Sequence, residues 1–163
     1  MKLYHGSTHI VQLPQMLDTQ RMLDFGKGFY TTSSSVQAEK WAAIKQKREG
    51  DNFKAIVNVY EVDDILLENI NFKVNVFNEA NEEWLDFIVA NRKDTLKHSY
   101  DIVKGAVAND TLYRTLTLFE SGILTKAETI IRLKTHVLFD QISFHNEMVM
   151  RELIFVESYE WVC

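Results

Sequence analysis

Residues 53–62, FKAIVNVYEV, alternate in polarity and are rich in β-branched side chains, the pattern of a half-buried strand. Leu153–Trp161 reads as a last strand, and Lys2–His5 as a short first strand ending at Gly6. Between the ends of the chain the period becomes helical. Ser35 suits the N-cap of a helix over 36–49 that ends near Gly50, with Ala38, Trp41 and Ala42 on one face. Asn78 or Asn81 opens a second helix running to about Arg92, with Trp84, Phe87 and Ile88 inward. Asp110–Glu120 carries Leu112, Leu116 and Phe119 on one stripe and is closed by Gly122; Thr125 caps a further helix striped by Ala127, Ile130 and Ile131. Asn71–Phe77, Tyr100–Ala108 and Val137–Phe144 read as strands, and Gln15–Asp18 and Asn146–Glu152 as short helices. Strands at both ends around a helical middle give an α+β fold rather than a βαβ series. No GxGxxG follows the first strand, since Gly26-x-Gly28 lacks the third glycine, so no doubly wound nucleotide fold is expected.

The 163 residues suit a single domain, 1–163, with a real core. One proline and six glycines announce no linker. A net charge of -5 argues against a protein that coats nucleic acid through phosphate contacts, because such binding needs clustered Lys and Arg. The single cysteine, Cys163, permits no intramolecular disulfide, and a reducing cytoplasm is the expected home. Neither a secretory leader nor an apolar run long enough to span a membrane is apparent. His5, His9, His98, His136 and His145 have no HxxxH or HExxH spacing, so no metal is expected.

The stretch from Asp24 to Trp41, DFGKGFYTTSSSVQAEKW, packs two glycines, an aromatic pair, a hydroxyl run and the start of a helix into a short span. Upstream stands Tyr4-His5-Gly6-Ser7. Taken singly, each piece has a structural reading: a strand end, a turn, a core aromatic. In this order, His5-Gly6-Ser7, then FGKGFYTT, then Trp41 eleven residues after Tyr30, they closely resemble the NAD-binding half of the ADP-ribosyltransferase superfamily, in its diphtheria-toxin and poly(ADP-ribose) polymerase branch. The motif resemblance covers residues 3–42, with tryptophan where that branch usually has tyrosine. The whole chain, with WLDF, NR, YDIVKG and FDQ.SFH, is most similar to a bacterial family of unknown function, domain of unknown function 3990, grouped with these transferases.

The resemblance implies a split β-sheet core with flanking helices and a helical insertion, NAD as substrate, and single transfer of ADP-ribose to a macromolecular acceptor (protein, RNA or DNA), with an antitoxin protein as partner if the chain is a toxin. Tyr30 and Trp41 would clamp the flat nicotinamide cation by stacking and cation–π attraction. Gly6 would bring its backbone N–H and C=O to the carboxamide, and His5 would bond a ribose hydroxyl. Ser7, Gly28 and Thr31 complete the expected binding set. A glutamate on a late strand of that branch bonds the ribose 2′-OH; here Gln141 takes its place, because Ile142 and Phe144 alternate with it and with Ser143, and Asp140 is the rival. Glutamine bonds a hydroxyl but accepts no proton, which favours single transfer or a binding module without turnover. Arg92, Asp101 and Asp110 are candidates for the acceptor side, with helix capping by Asn109 or Asp110 and a surface arginine as the structural alternatives.

Overall fold

In the computed structural model, residues 1–16, 23–107, 110–134 and 139–162 are described, the side chains of 110–112 excepted. β1 (Lys2–Ser7), β3 (Ala55–Glu61) and β7 (Ile154–Trp161) form one antiparallel sheet in the order β1-β3-β7. β2 (Phe29–Thr31), β4 (Val74–Val76), β5 (Ile102–Ala106) and β6 (Asp140–Phe144) form the other, in the order β2-β6-β5-β4, with β4 parallel to β5. The sheets meet at one bridge. Tyr4 N–H donates to the Thr32 carbonyl at 2.8 Å, and Thr32 N–H returns to Tyr4 at 3.0 Å. Beyond it the strands part.

Side-chain alternation decides what fills each layer. Leu3 and Tyr60 from the first sheet meet Phe29, Ile102, Ile142 and Phe144 from the second in one buried cluster, closed by Val149 and Leu153. The other face of the first sheet carries Tyr4, Val57 and Tyr159 against α1 (Ser35–Glu49), whose Ala38 and Ala42 are buried there. The other face of the second sheet packs Val103 on Phe25 and on Trp84, Leu85 and Ile88 of α2 (Glu82–Arg92). Leu116 of α3 (Asp110–Glu120) and Leu133 of α4 (Lys126–Lys134) complete that layer. The fold is mixed α+β, with two sheets and, among the described residues, five helices, the last being α5 (Glu147–Met150).

The expected helices beginning near Ser35, Asn81, Asp110, Thr125 and Asn146 are present, with local shifts. Ser34, not Ser35, caps α1: its backbone is extended and its hydroxyl accepts from Gln37 N–H at 3.3 Å. Asn81, not Asn78, caps α2, accepting from Trp84 N–H at 2.9 Å. Thr125 and Glu128 cap α4 reciprocally, each side chain accepting from the other residue's backbone N–H. The stripe expected on α4 is displaced. Ala127 and Ile131 are exposed, Ile130 is half-buried, and Thr129 and Leu133 face inward; Thr129 is accommodated because its hydroxyl donates to the Thr125 carbonyl at 2.8 Å. Gln15 and Met16 are not helical, and the rest of that expected turn lies outside the described residues, as do Ala108, Asn109, Val137 and Leu138.

Candidate functional site

The alternation of an antiparallel ladder fixes what the joint presents. Tyr4 turns both backbone groups toward β2, so Gly6, two residues on, turns its N–H and C=O to the same edge, beyond the point where the strands separate. Thr32 turns toward β1, and so does Tyr30. The Tyr30 carbonyl is taken by His5, whose Nδ1–H donates to it at 2.6 Å while the imidazole stacks on Phe29 at 4.4 Å. Burial, with the charge of Lys45 adding to it, lowers the His5 pKa to about 3 against the hydrogen bond's opposing pull. The ring is therefore neutral, and with Nδ1 donating, Nε2 carries the lone pair.

Directly paired residues share a face. Tyr4 and Thr32 thus place the α1 side of the first sheet and the Tyr30 side of the second on one side of the joint. Gly6 lies there directly beneath α1: a Cβ on it would stand 2.2 Å from the Ala38 carbonyl oxygen and 3.0 Å from Trp41 Cβ. Tyr30 pairs with Ser143, so Gln141, two residues away on β6, falls on the same face. Asp140 falls on the other. It accepts from the Thr32 hydroxyl at 3.0 Å and from Ser33 N–H at 2.9 Å, fastening the turn into α1.

Tyr30 is anchored by its hydroxyl, which accepts from Phe25 N–H at 3.0 Å and donates to the Gly26 carbonyl at 2.7 Å. Burial raises its pKa well above the ordinary value. Two histidines hold the same glycine loop from the other side. His98 Nε2–H donates to the Phe25 carbonyl at 2.8 Å, and His145 Nδ1–H to the Lys27 carbonyl at 2.6 Å; their rings meet edge-on at 4.6 Å. Burial lowers the His145 pKa to about 4. Tyr30 and Trp41 each keep part of their surface exposed. Surface cavities of about 250 Å³ beside Lys104 and Phe139 and about 530 Å³ beside Met1 and Ile154 take in none of His5, Tyr30 or Trp41.

A family model described as "Protein of unknown function (DUF3990)" matches residues 1–155. The chain belongs to that family. No curated protein and no solved structure matches it. Among the described residues of this DUF3990 chain, no helix is long and apolar enough to cross a membrane.

The structure gathers His5, Gly6, Tyr30, Trp41 and Gln141 around the joint and redistributes the other expected site residues. Thr31 is buried, and its hydroxyl donates to the Ile142 carbonyl at 3.0 Å on the face away from Tyr30. Gly28 serves the loop's packing, since a Cβ there would stand 2.8 Å from the Phe144 carbonyl oxygen and 2.9 Å from His145 Nδ1. Ser7 is buried, its hydroxyl accepting from His9 N–H at 3.4 Å. Asp101 sits at the far end of β5, accepting from Lys73 N–H at 2.7 Å and from Asn146, so it fastens β4 and α5. Arg92 is not a surface residue: its side chain is 12% exposed, between Asp24 and Glu120. Asp110 begins α3 with its side chain outside the described residues. Sequence reasoning passed over His98 and His145, whose partners are backbone carbonyls distant in the chain and leave no local pattern.

Proposed function

We propose that this protein is a NAD-dependent mono-ADP-ribosyltransferase with the split-sheet fold of that superfamily and a helical insertion. The observation that carries the reading is the placement of Gly6, Tyr30, Trp41 and Gln141 on one side of the joint between the sheets, with a neutral His5 fastened to Tyr30. NAD is the substrate. The nicotinamide ring stacks between Tyr30 and Trp41, its carboxamide bonds the Gly6 edge, and His5 Nε2 accepts a ribose hydroxyl. Gln141 bonds the 2′-OH. Cleavage of the bond from nicotinamide to C1′ passes through an oxocarbenium-like state, as in glycoside hydrolysis, and fixed dipoles around the ribose stabilise it. The acceptor is a macromolecule, and a toxin acting this way is paired with an antitoxin protein.

Incubation of the full chain with labelled NAD and cell lysate tests the reading. Nicotinamide release and label on protein, RNA or DNA are expected, and both fall to background in His5→Ala. Absence of both with the wild-type chain refutes turnover. Gln141, which takes up no proton, favours a second reading, a NAD or ADP-ribose binding module. Calorimetric binding of NAD without nicotinamide release identifies that case.

A further inference from the structure

Transfer needs a group to take the acceptor's proton, and Gln141 has none to offer. A carboxylate lies beside it. Gln141 Nε2–H donates to Asp24 Oδ2 at 3.4 Å. Asp24 Oδ1 is 3.9 Å from Arg92 Nη1, and Arg92 Nε is 3.4 Å from Glu120 Oε1. The cluster is enclosed: the Asp24 and Glu120 side chains are each 20% exposed and that of Arg92 12%. Arg92 lies over the Tyr113 ring, 4.6 Å from its centroid, so its guanidinium is fixed on two sides. Its Nη1 is buried without a hydrogen-bond partner among the described residues, although it points toward Asp24. Asp24 also immediately precedes Phe25, whose N–H holds the Tyr30 hydroxyl, so the carboxylate is tied to the clamp and to Gln141 at once.

We propose that Asp24 is the general base of this site, with Gln141 and Arg92 as its positioning residues. This rests on the reading of the site as one that cleaves NAD. The bond between the nicotinamide nitrogen and C1′ breaks, its electron pair passing to the pyridinium nitrogen, and neutral nicotinamide leaves. The acceptor's oxygen or nitrogen bonds to C1′, and its proton goes to the Asp24 carboxylate and from there to solvent. The catalytic labour that one glutamate side chain performs in the resembling branch is thus divided: the amide holds the sugar and the neighbouring carboxylate takes the proton.

The test compares wild type, Asp24→Asn and Gln141→Glu for NAD binding by calorimetry and for nicotinamide release across pH. Asp24→Asn is expected to bind NAD within about threefold of wild type and to release nicotinamide 10²- to 10⁴-fold more slowly, the usual contribution of a positioned base. In Asp24→Ala, which vacates the carboxylate's position, added formate restores release at least tenfold. Release within about threefold of wild type by Asp24→Asn, with the wild type active, overturns this inference and leaves the transferase reading standing. A wild type that releases no nicotinamide overturns both. If Asp24→Asn does not fold, Gln141→Glu decides. It puts a second carboxylate 3.4 Å from the first, where like-charge repulsion moves the acid limb of the pH–rate profile up by about a unit or more. An acid limb that stays in place overturns the inference.

Discussion

The sharpest test of the joint is Gly6→Ala. An added Cβ would sit 2.2 Å from the Ala38 carbonyl oxygen and 2.7 Å from Ala42 N, where ordinary contact begins at 3.4 Å. The shortfalls of about 1.2 and 0.7 Å are both against backbone, so no side chain can swing aside to absorb them. The helix must lift from β1 by roughly an ångström, loosening Ala38 and Ala42, which are 1% and 0% exposed. Overpacking of this kind costs about 1–3 kcal/mol. In a chain of this size each kcal/mol moves Tm by about 2–4 °C, so a fall of roughly 2–12 °C is expected by circular dichroism. The same displacement moves Trp41, whose Cβ is 3.0 Å from that position. NAD affinity measured on the folded variant well below its Tm is expected to fall more than tenfold, since ångström-scale misplacement is costly in a site that works by orientation. A variant that melts with wild type refutes the packing argument. One that melts lower yet binds NAD as wild type does refutes the link from α1 to the site.

Two further expectations follow from the same geometry. Trp41→Ala, at a half-exposed position, is expected to weaken NAD binding by about 1–2 kcal/mol, five- to thirtyfold in Kd, with little change in Tm; unchanged Kd by calorimetry removes Trp41 from the clamp. Acid is expected to destabilise the fold, because His5 and His145 drop from 6.5 to about 3 and about 4 on folding. Between those values and 6.5 the unfolded chain holds more protons, so stability rises with pH across the window. Each histidine loses roughly 2 kcal/mol of its contribution by pH 5, and an unchanged urea midpoint between pH 7 and pH 5 contradicts this.

What the sequence made legible were the features with local causes. The alternation of β3 and the helical stripes of α1 and α2 follow from periodicity. So did Gln141 over Asp140, because Ile142 and Phe144 had to share the opposite face. The same alternation separates Tyr30 from Thr31, and reading the whole motif as a binding segment overrode it. Ser35 read as the cap, but Asp140, more than a hundred residues away, takes Ser33 N–H and hydroxyl, and Ser34 caps the helix. Arg92 looked like a surface residue because its partners, Asp24 and Glu120, lie on other elements. The helix stripe misread on α4 has a similar origin: Thr129 is inward only because its hydroxyl is satisfied within its own turn.

The electrostatics of the joint follow from where charge is excluded and where it is retained. His5 bridges β1 and β2 through the Tyr30 carbonyl, and its burial keeps it uncharged. A protonated ring there would add a second cation near Lys45 and a repulsive one beside a bound pyridinium. On the Tyr30 side charge is retained, with Arg92 lying between Asp24 and Glu120. In the proposed site a cationic ring gains cation–π attraction from Tyr30 and Trp41 in addition to stacking, whereas a neutral or anionic ring of the same shape gains only the stacking. On the proposed reading, NAD is therefore expected to bind more tightly than NADH by calorimetry, and equal affinities contradict it. One hydrogen bond, from His5 to the Tyr30 carbonyl, ties β1 to β2 beside the Gly6 edge and fixes the tautomer that leaves Nε2 as an acceptor.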